Sequence, residues 1–125
     1  MGTHKDLHIW QDGIQLVEMV YRLTASFPAS ELYGLCSQMR RASVSVPSNI
    51  AEGAARQGEK EYIQFLYIAL GSLSELETQC IIAQRLNYID EHQILEAIEA
   101  LRRKLLNFIK HRKNRKEEFG EGKRF

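Results

Sequence analysis

Proline is almost missing from this chain of 125 residues; it stands only at positions 28 and 47. Proline ends or bends helices, so its scarcity leaves room for long helices and few turns. Cysteine is limited to Cys36 and Cys80. The two lie far apart, each within apolar helical spacing, and are expected as buried, reduced thiols rather than a disulfide framework. No apolar run approaches the ~20 residues that a membrane span requires, and no basic-then-apolar leader opens the chain. The expected location is the cytoplasm, with no membrane partner.

Chemical motifs are also scarce. The sequence lacks a zincin pattern, a phosphate loop, a dinucleotide fingerprint and a nucleophile elbow. His4 and His8 are four apart but have no third ligand in view. The carboxylate pairs Glu59/Glu61 and Glu75/Glu77 are two apart and do not share a helix face. No catalytic residue, metal site or cofactor is expected, and the chain reads as a non-enzyme.

Net charge is small as well, at +1, but it hides an asymmetry. Residues 1–101 hold 7 Lys/Arg against 13 Asp/Glu, whereas residues 102–125 hold 10 against 3. An acidic body with a basic end attracts polyanions or another copy of the same body.

What is present is helical periodicity. A first helix is expected over about residues 7–26. Trp10, Ile14, Val17, Tyr21 and Thr24 form one ridge, and Gly13, Leu16, Val20, Leu23 and Phe27 a second. That arc is wider than one buried face needs. Phe27-Pro28-Ala29-Ser30 breaks it, and Ser30 is expected to cap the next helix. The second helix is expected to kink at Pro47 and to end near Gly53 in a left-handed turn.

The third helix, from about residue 58 to 87, is apolar almost all round, and Gly71 inside it suggests that another backbone approaches. Asp90 and Gln93 fit a capping box, with Ile89 and Ile94 as a staple. The fourth helix then carries Ile94, Ile98, Leu101, Leu105 and Phe108 toward the core, and Arg112 marks where that row ends. The architecture expected is all-α: an antiparallel, up-down four-helix bundle over residues 1–109, with a basic helix end and flexible tail over residues 110–125.

The second helix carries an unusual polar row beside its apolar stripe: Gln38, Arg41, Ser45, Asn49, Glu52 and Arg56. A solvated face usually mixes Lys and Glu loosely. Amides, a hydroxyl, a carboxylate and guanidinium groups in register suit specific hydrogen bonds, either to another helix or subunit or within a binding groove. A second candidate site lies at the basic end, where Arg103, Lys110, Arg112, Lys113, Arg115 and Lys116 are placed to meet phosphates. No Phe, Tyr or Trp is interleaved between Lys110 and Phe119, so base stacking is not suggested.

Several motifs together carry a family resemblance. They are Ile9-Trp10-Gln11, Phe27-Pro28, Tyr33-Gly34-Leu35, Gln38-Met39-Arg40-Arg41-Ala42, Val46-Pro47-Ser48-Asn49-Ile50-Ala51-Glu52-Gly53, Phe65-Leu66-Tyr67-Ile68-Ala69 and Gly71-Ser72-Leu73-Ser74-Glu75-Leu76-Glu77. The chain resembles the 23S ribosomal RNA intervening-sequence protein family, distantly related to retroelement accessory proteins. The resemblance implies a four-helix bundle that assembles as a homopentamer and brings no catalytic residues. On that footing the second ridge of the first helix and the apolar third helix are expected to pack against neighbouring subunits.

Two readings stay open. One is a homo-oligomeric, non-enzymatic scaffold that binds RNA or DNA through the basic ends of its fourth helices. The other is a structural or protein-partner module without nucleic-acid binding.

Overall fold

The computed structural model describes residues 2–90 and 92–119, with side chains in the last helix described through Arg115. Of the basic helix end and flexible tail expected over residues 110–125, residues 110–119 continue the last helix, and residues 120–125 and the side chain of Lys116 lie outside the described part.

Four helices account for most of the chain: α1 (His8–Thr24), α2 (Ser37–Ala54), α3 (Glu59–Arg85) and α4 (Gln93–Phe119). No strand occurs among the described residues. Each helix packs on two neighbours, so that α1 and α3 both touch α2 and α4. Residue pairs along α3 and α4 run in opposite senses: Glu59 meets Arg112, and Glu77 meets Arg102.

The core follows the expected periods. Leu66, Leu73, Leu76 and Cys80 of α3 and Ile94, Ile98 and Leu105 of α4 are fully buried. A buried Leu or Ile contributes about 1.5–3 kcal/mol, so these rows fix which face of each helix turns inward. On α1 the inward ridge is Ile9, Gly13, Leu16 and Val20, while Ile14 and Tyr21 are 37% and 44% exposed. The second ridge therefore serves the bundle itself, contrary to expectation, and the first ridge carries the surplus. The cause is local: Gly13 has no side chain, so α1 lies directly on Pro47, where an added Cβ would meet the proline ring at 3.2 Å.

α2 is continuous through Pro47. Asn49 Nδ2 donates to the Ser45 carbonyl (2.8 Å), and Ser43 Oγ donates to the Arg40 carbonyl (2.8 Å). Gly53 is not a left-handed terminator. It is buried within α2, and a Cβ there would lie 2.8 Å from Phe65 Cβ and 3.2 Å from the Tyr62 carbonyl oxygen. Close approach of α3, rather than backbone freedom, explains this glycine.

The connection between α1 and α2 is more elaborate than a capped turn. A 3-10 turn (Ala29–Glu31) runs into a π-helical turn (Leu32–Cys36) before α2 starts. Glu31, not Ser30, supplies the cap: its carboxylate accepts from the Leu35 N–H at 3.1 Å. The same carboxylate accepts the Tyr88 hydroxyl at 2.9 Å, which ties this connection to the turn between α3 and α4.

That second turn depends on Asn87, the only non-glycine with positive φ (64°) among the described residues. Tyr88 N–H reaches back to the Ala83 carbonyl at 2.9 Å, closing the α3 end in a Schellman pattern. α4 begins at Gln93, and Glu96 N–H donates to the His92 carbonyl, so the helix starts two residues beyond the expected Asp90 cap. Ile89 and Ile94 are nonetheless both buried.

Candidate functional site

The polar row of α2 divides into three parts. Ser45 and Asn49 are half-buried and turn toward α3. The Ser45 and Ser72 hydroxyls lie 2.8 Å apart, and Asn49 Nδ2 donates to Ser45 Oγ at 2.9 Å. This hydrogen-bonded group joins the two helices at one register. Glu52 and Arg56 form an exposed pair at 3.5 Å, and the Arg56 guanidinium lies 4.8 Å from the centre of the Phe65 ring. An exposed pair of this kind contributes little to stability. Gln38 and Arg41 are exposed and make no hydrogen bond or ion pair within the chain among the described residues.

Nearby on α3, Gln79 Nε2 donates to Glu75 (3.3 Å). Its Oε1 is the buried side-chain oxygen without a partner among the described residues.

The basic end of α4 is only partly free. Arg112 makes two bonds of 2.7 Å to the Glu59 carboxylate, and its guanidinium lies 4.7 Å from the centre of the Tyr62 ring and 5.8 Å from that of Phe108. The hydrogen bond to Glu59 raises the Arg112 pKa, against the lowering effect of burial. Burial chiefly raises the Tyr62 pKa; Arg112 opposes that shift and Glu59 adds to it. A planar guanidinium set between a carboxylate and aromatic faces is a strong, directional lock.

Lys113 donates to the Tyr67 hydroxyl at 2.6 Å. Arg102 bridges Glu77 and Glu99, and Lys104 pairs with Asp12 at 2.7 Å. Arg115 also has a partner within the chain. Of the expected phosphate-binding cations, Arg103 and Lys110 are the two described as exposed and unpaired. They lie seven residues apart on one face of α4. The structure thus does not leave the five described ones free as a single patch. Arg112 and Lys113 were readable as basic, but not as engaged, because their partners lie some fifty residues away in sequence.

The outward face of α3 exposes several large apolar side chains. Tyr67, Ile68, Ile81, Ile82 and Leu86, just past the helix end, are each 40–50% exposed. Gly71 lies among them, and a Cβ built there meets nothing within 4 Å. The backbone approach that Gly71 suggests is therefore not supplied by the described residues.

A further feature escaped the periodicity. Tyr21, Leu32, Ser37, Arg40, Arg41 and Val44 line a groove of about 400 Å³ between α1 and the start of α2. The adjacent Arg40-Arg41 doublet, in a body whose overall balance is acidic, was the available signal.

No helix among the described residues is long and apolar enough to cross a membrane, and none of their His, Cys, Asp and Glu side chains form a metal-sized group of three. Both cysteines are free and buried. Cys36 Sγ donates to the Thr24 carbonyl at 3.2 Å, while burial, with a smaller contribution from Glu77, pushes the Cys80 thiol up to about 12.

A helical bundle with paired cations on its last helix and an uncovered apolar helix face defines a class of architecture rather than a reaction. The family model described as 23S rRNA-intervening sequence protein matches residues 5–109, and the chain belongs to that family. No curated protein matches the sequence.

Proposed function

We propose that this protein is a non-enzymatic, homo-oligomeric scaffold whose copies meet along the outward face of α3. The observation that carries the reading is the row Tyr67, Ile68, Ile81, Ile82 and Leu86, left 40–50% exposed on a long helix. Large apolar side chains left exposed on a helix mark an interaction site; Ser74, Glu75 and Thr78, exposed between Ile68 and Ile81, divide them into a patch at each end of α3. Gly71 adds a flat point where a second backbone can approach. The family resemblance supplies five as the number of copies. Sedimentation or light scattering at micromolar concentration tests the reading, which requires a mass several times 14.5 kDa.

RNA or DNA contact along α4 is the second reading, and the exposed, unpaired Arg103 and Lys110 favour it. Each copy then contributes few phosphate contacts, so binding depends on several copies acting together and weakens steeply with salt. Titrating labelled RNA and DNA at two salt concentrations tests it. Absence of binding at low salt leaves the scaffold without a nucleic-acid role.

A further inference from the structure

The groove between α1 and α2 has a composition unlike the rest of the body. Residues 1–101 hold 7 basic against 13 acidic residues, yet two arginines stand side by side here. Among the described residues neither Arg40 nor Arg41 has a carboxylate within ion-pair distance. Glu31, a few residues upstream, is occupied by the Leu35 N–H and the Tyr88 hydroxyl.

Arg40 is also held in place before any ligand arrives. Its Nε donates to Thr24 Oγ1 at 2.9 Å, and its guanidinium carbon lies 4.8 Å from the centre of the Tyr21 ring. Thr24 is itself buried and anchored to the Val20 carbonyl at 2.7 Å. The Nε edge is therefore used, while the two terminal amino groups make no bond among the described residues. A guanidinium fixed in this way presents two parallel donors suited to an oxyanion. Arg41 adds a second, movable cation on the same groove. Tyr21, Leu32 and Val44, each 40–47% exposed, supply an apolar wall.

We infer that this groove binds a small organic anion, with a carboxylate or phosphate held by Arg40 and Arg41 and an aromatic or apolar body lying on Tyr21, Leu32 and Val44. The groove is shallow and open to solvent, so a molecule of one or two rings lies along its apolar wall rather than being enclosed. The inference is independent of the scaffold reading, because it uses neither the α3 face nor the basic end of α4.

Backbone-amide NMR titration of the full chain tests it, using phenyl phosphate, phenylacetate and inorganic phosphate as probes. The expected result is saturable shifts at Arg40, Arg41 and Val44 in the millimolar range or tighter for at least one aromatic anion. Inorganic phosphate binds at least about tenfold more weakly, because it gains nothing from the apolar wall. The tighter of the two aromatic probes identifies the preferred anion. Arg41→Gln, an exposed change that leaves the core untouched, weakens binding about tenfold. Equal affinity for inorganic phosphate, no saturable shift, or indifference to Arg41→Gln overturns the inference. So does an Arg41→Gln chain that keeps its fold but falls apart into single copies, since the groove is then a contact between subunits.

Discussion

α3 and α4 have the same length, 27 residues each, and pack against one another, yet their outward faces differ in kind. α4 turns Glu99, Arg103, Asn107 and Lys110 to solvent, with Leu106 as its one large exposed apolar residue among those described. α3 turns Tyr67, Ile68, Ile81 and Ile82 outward. Both helices bury an inward row that is mainly apolar, with Ser72 and Gln79 the polar members on α3, so the bundle's core does not account for the difference. A helix that is apolar all round belongs in an interior. In α4 the outward face is polar; in α3 it carries apolar side chains beside the exposed Ser74, Glu75 and Thr78, and the proposed scaffold covers them with a second copy.

Breaking that contrast gives the largest expected effect. Ile68→Lys with Ile82→Lys places two ammonium groups on the α3 face, where an unpaired buried charge costs several kcal/mol. Association weakens by roughly 100-fold or more, read by sedimentation. Leu106→Lys, the matched change on α4, leaves the mass unchanged. Equal effects from the two helices would remove the distinction.

A smaller effect comes from the lock between the same helices. Glu59 and Arg112 side chains are only 14% and 17% exposed. Glu59→Gln leaves the guanidinium half-paired against Tyr62 and lowers stability by about 2 kcal/mol in urea unfolding, allowing for partial solvent screening. The Arg103→Gln substitution, on the wet face, costs almost nothing.

Alkaline pH acts at the same place more gently. Burial, partly offset by Arg112, raises the Tyr62 pKa above its ordinary 10.0, so the neutral ring suits the fold and the phenolate does not. Its contribution is fully present below the ordinary value and is lost as pH rises through the higher folded value. A stability profile above pH 10 is therefore flatter for Tyr62→Phe than for the parent chain.

The smallest expected effect is a gain. Gly71→Ala meets no neighbour within 4 Å. In the Ile68→Lys, Ile82→Lys background, where copies no longer meet, it stabilises the helix by up to about 1 kcal/mol, seen as a higher Tm. In the parent assembly the added methyl group offsets that gain or reverses it.

The sequence made the helices legible because inward rows at steps of three and four must bury together, and α3 and α4 follow that rule closely. It misled where an outcome depended on a neighbour distant in sequence. Gly53 looked like a terminator because glycine commonly ends helices, but Phe65 and Tyr62 of α3 leave no room for a Cβ there. On α1 periodicity presented two apolar ridges and could not rank them; Gly13 against Pro47 decides which turns inward. Ser30 fits a cap by residue type, yet Glu31 reaches the Leu35 N–H through a π-helical turn that no simple period anticipates. The polar row on α2 was visible as a pattern, whereas its division into a half-buried Ser45–Asn49 group and exposed Gln38 and Arg41 depended on Ser72 of α3. Cationic charge at the end of α4 was also visible; its engagement by Glu59 and Tyr67 was not.

The most direct check is the absolute mass of the parent chain beside the Ile68→Lys, Ile82→Lys chain, measured by light scattering over a range of concentrations. The account predicts a stable multiple of 14.5 kDa for the first and a folded single copy for the second. A parent chain that stays folded at 14.5 kDa up to the highest concentration reached would contradict it.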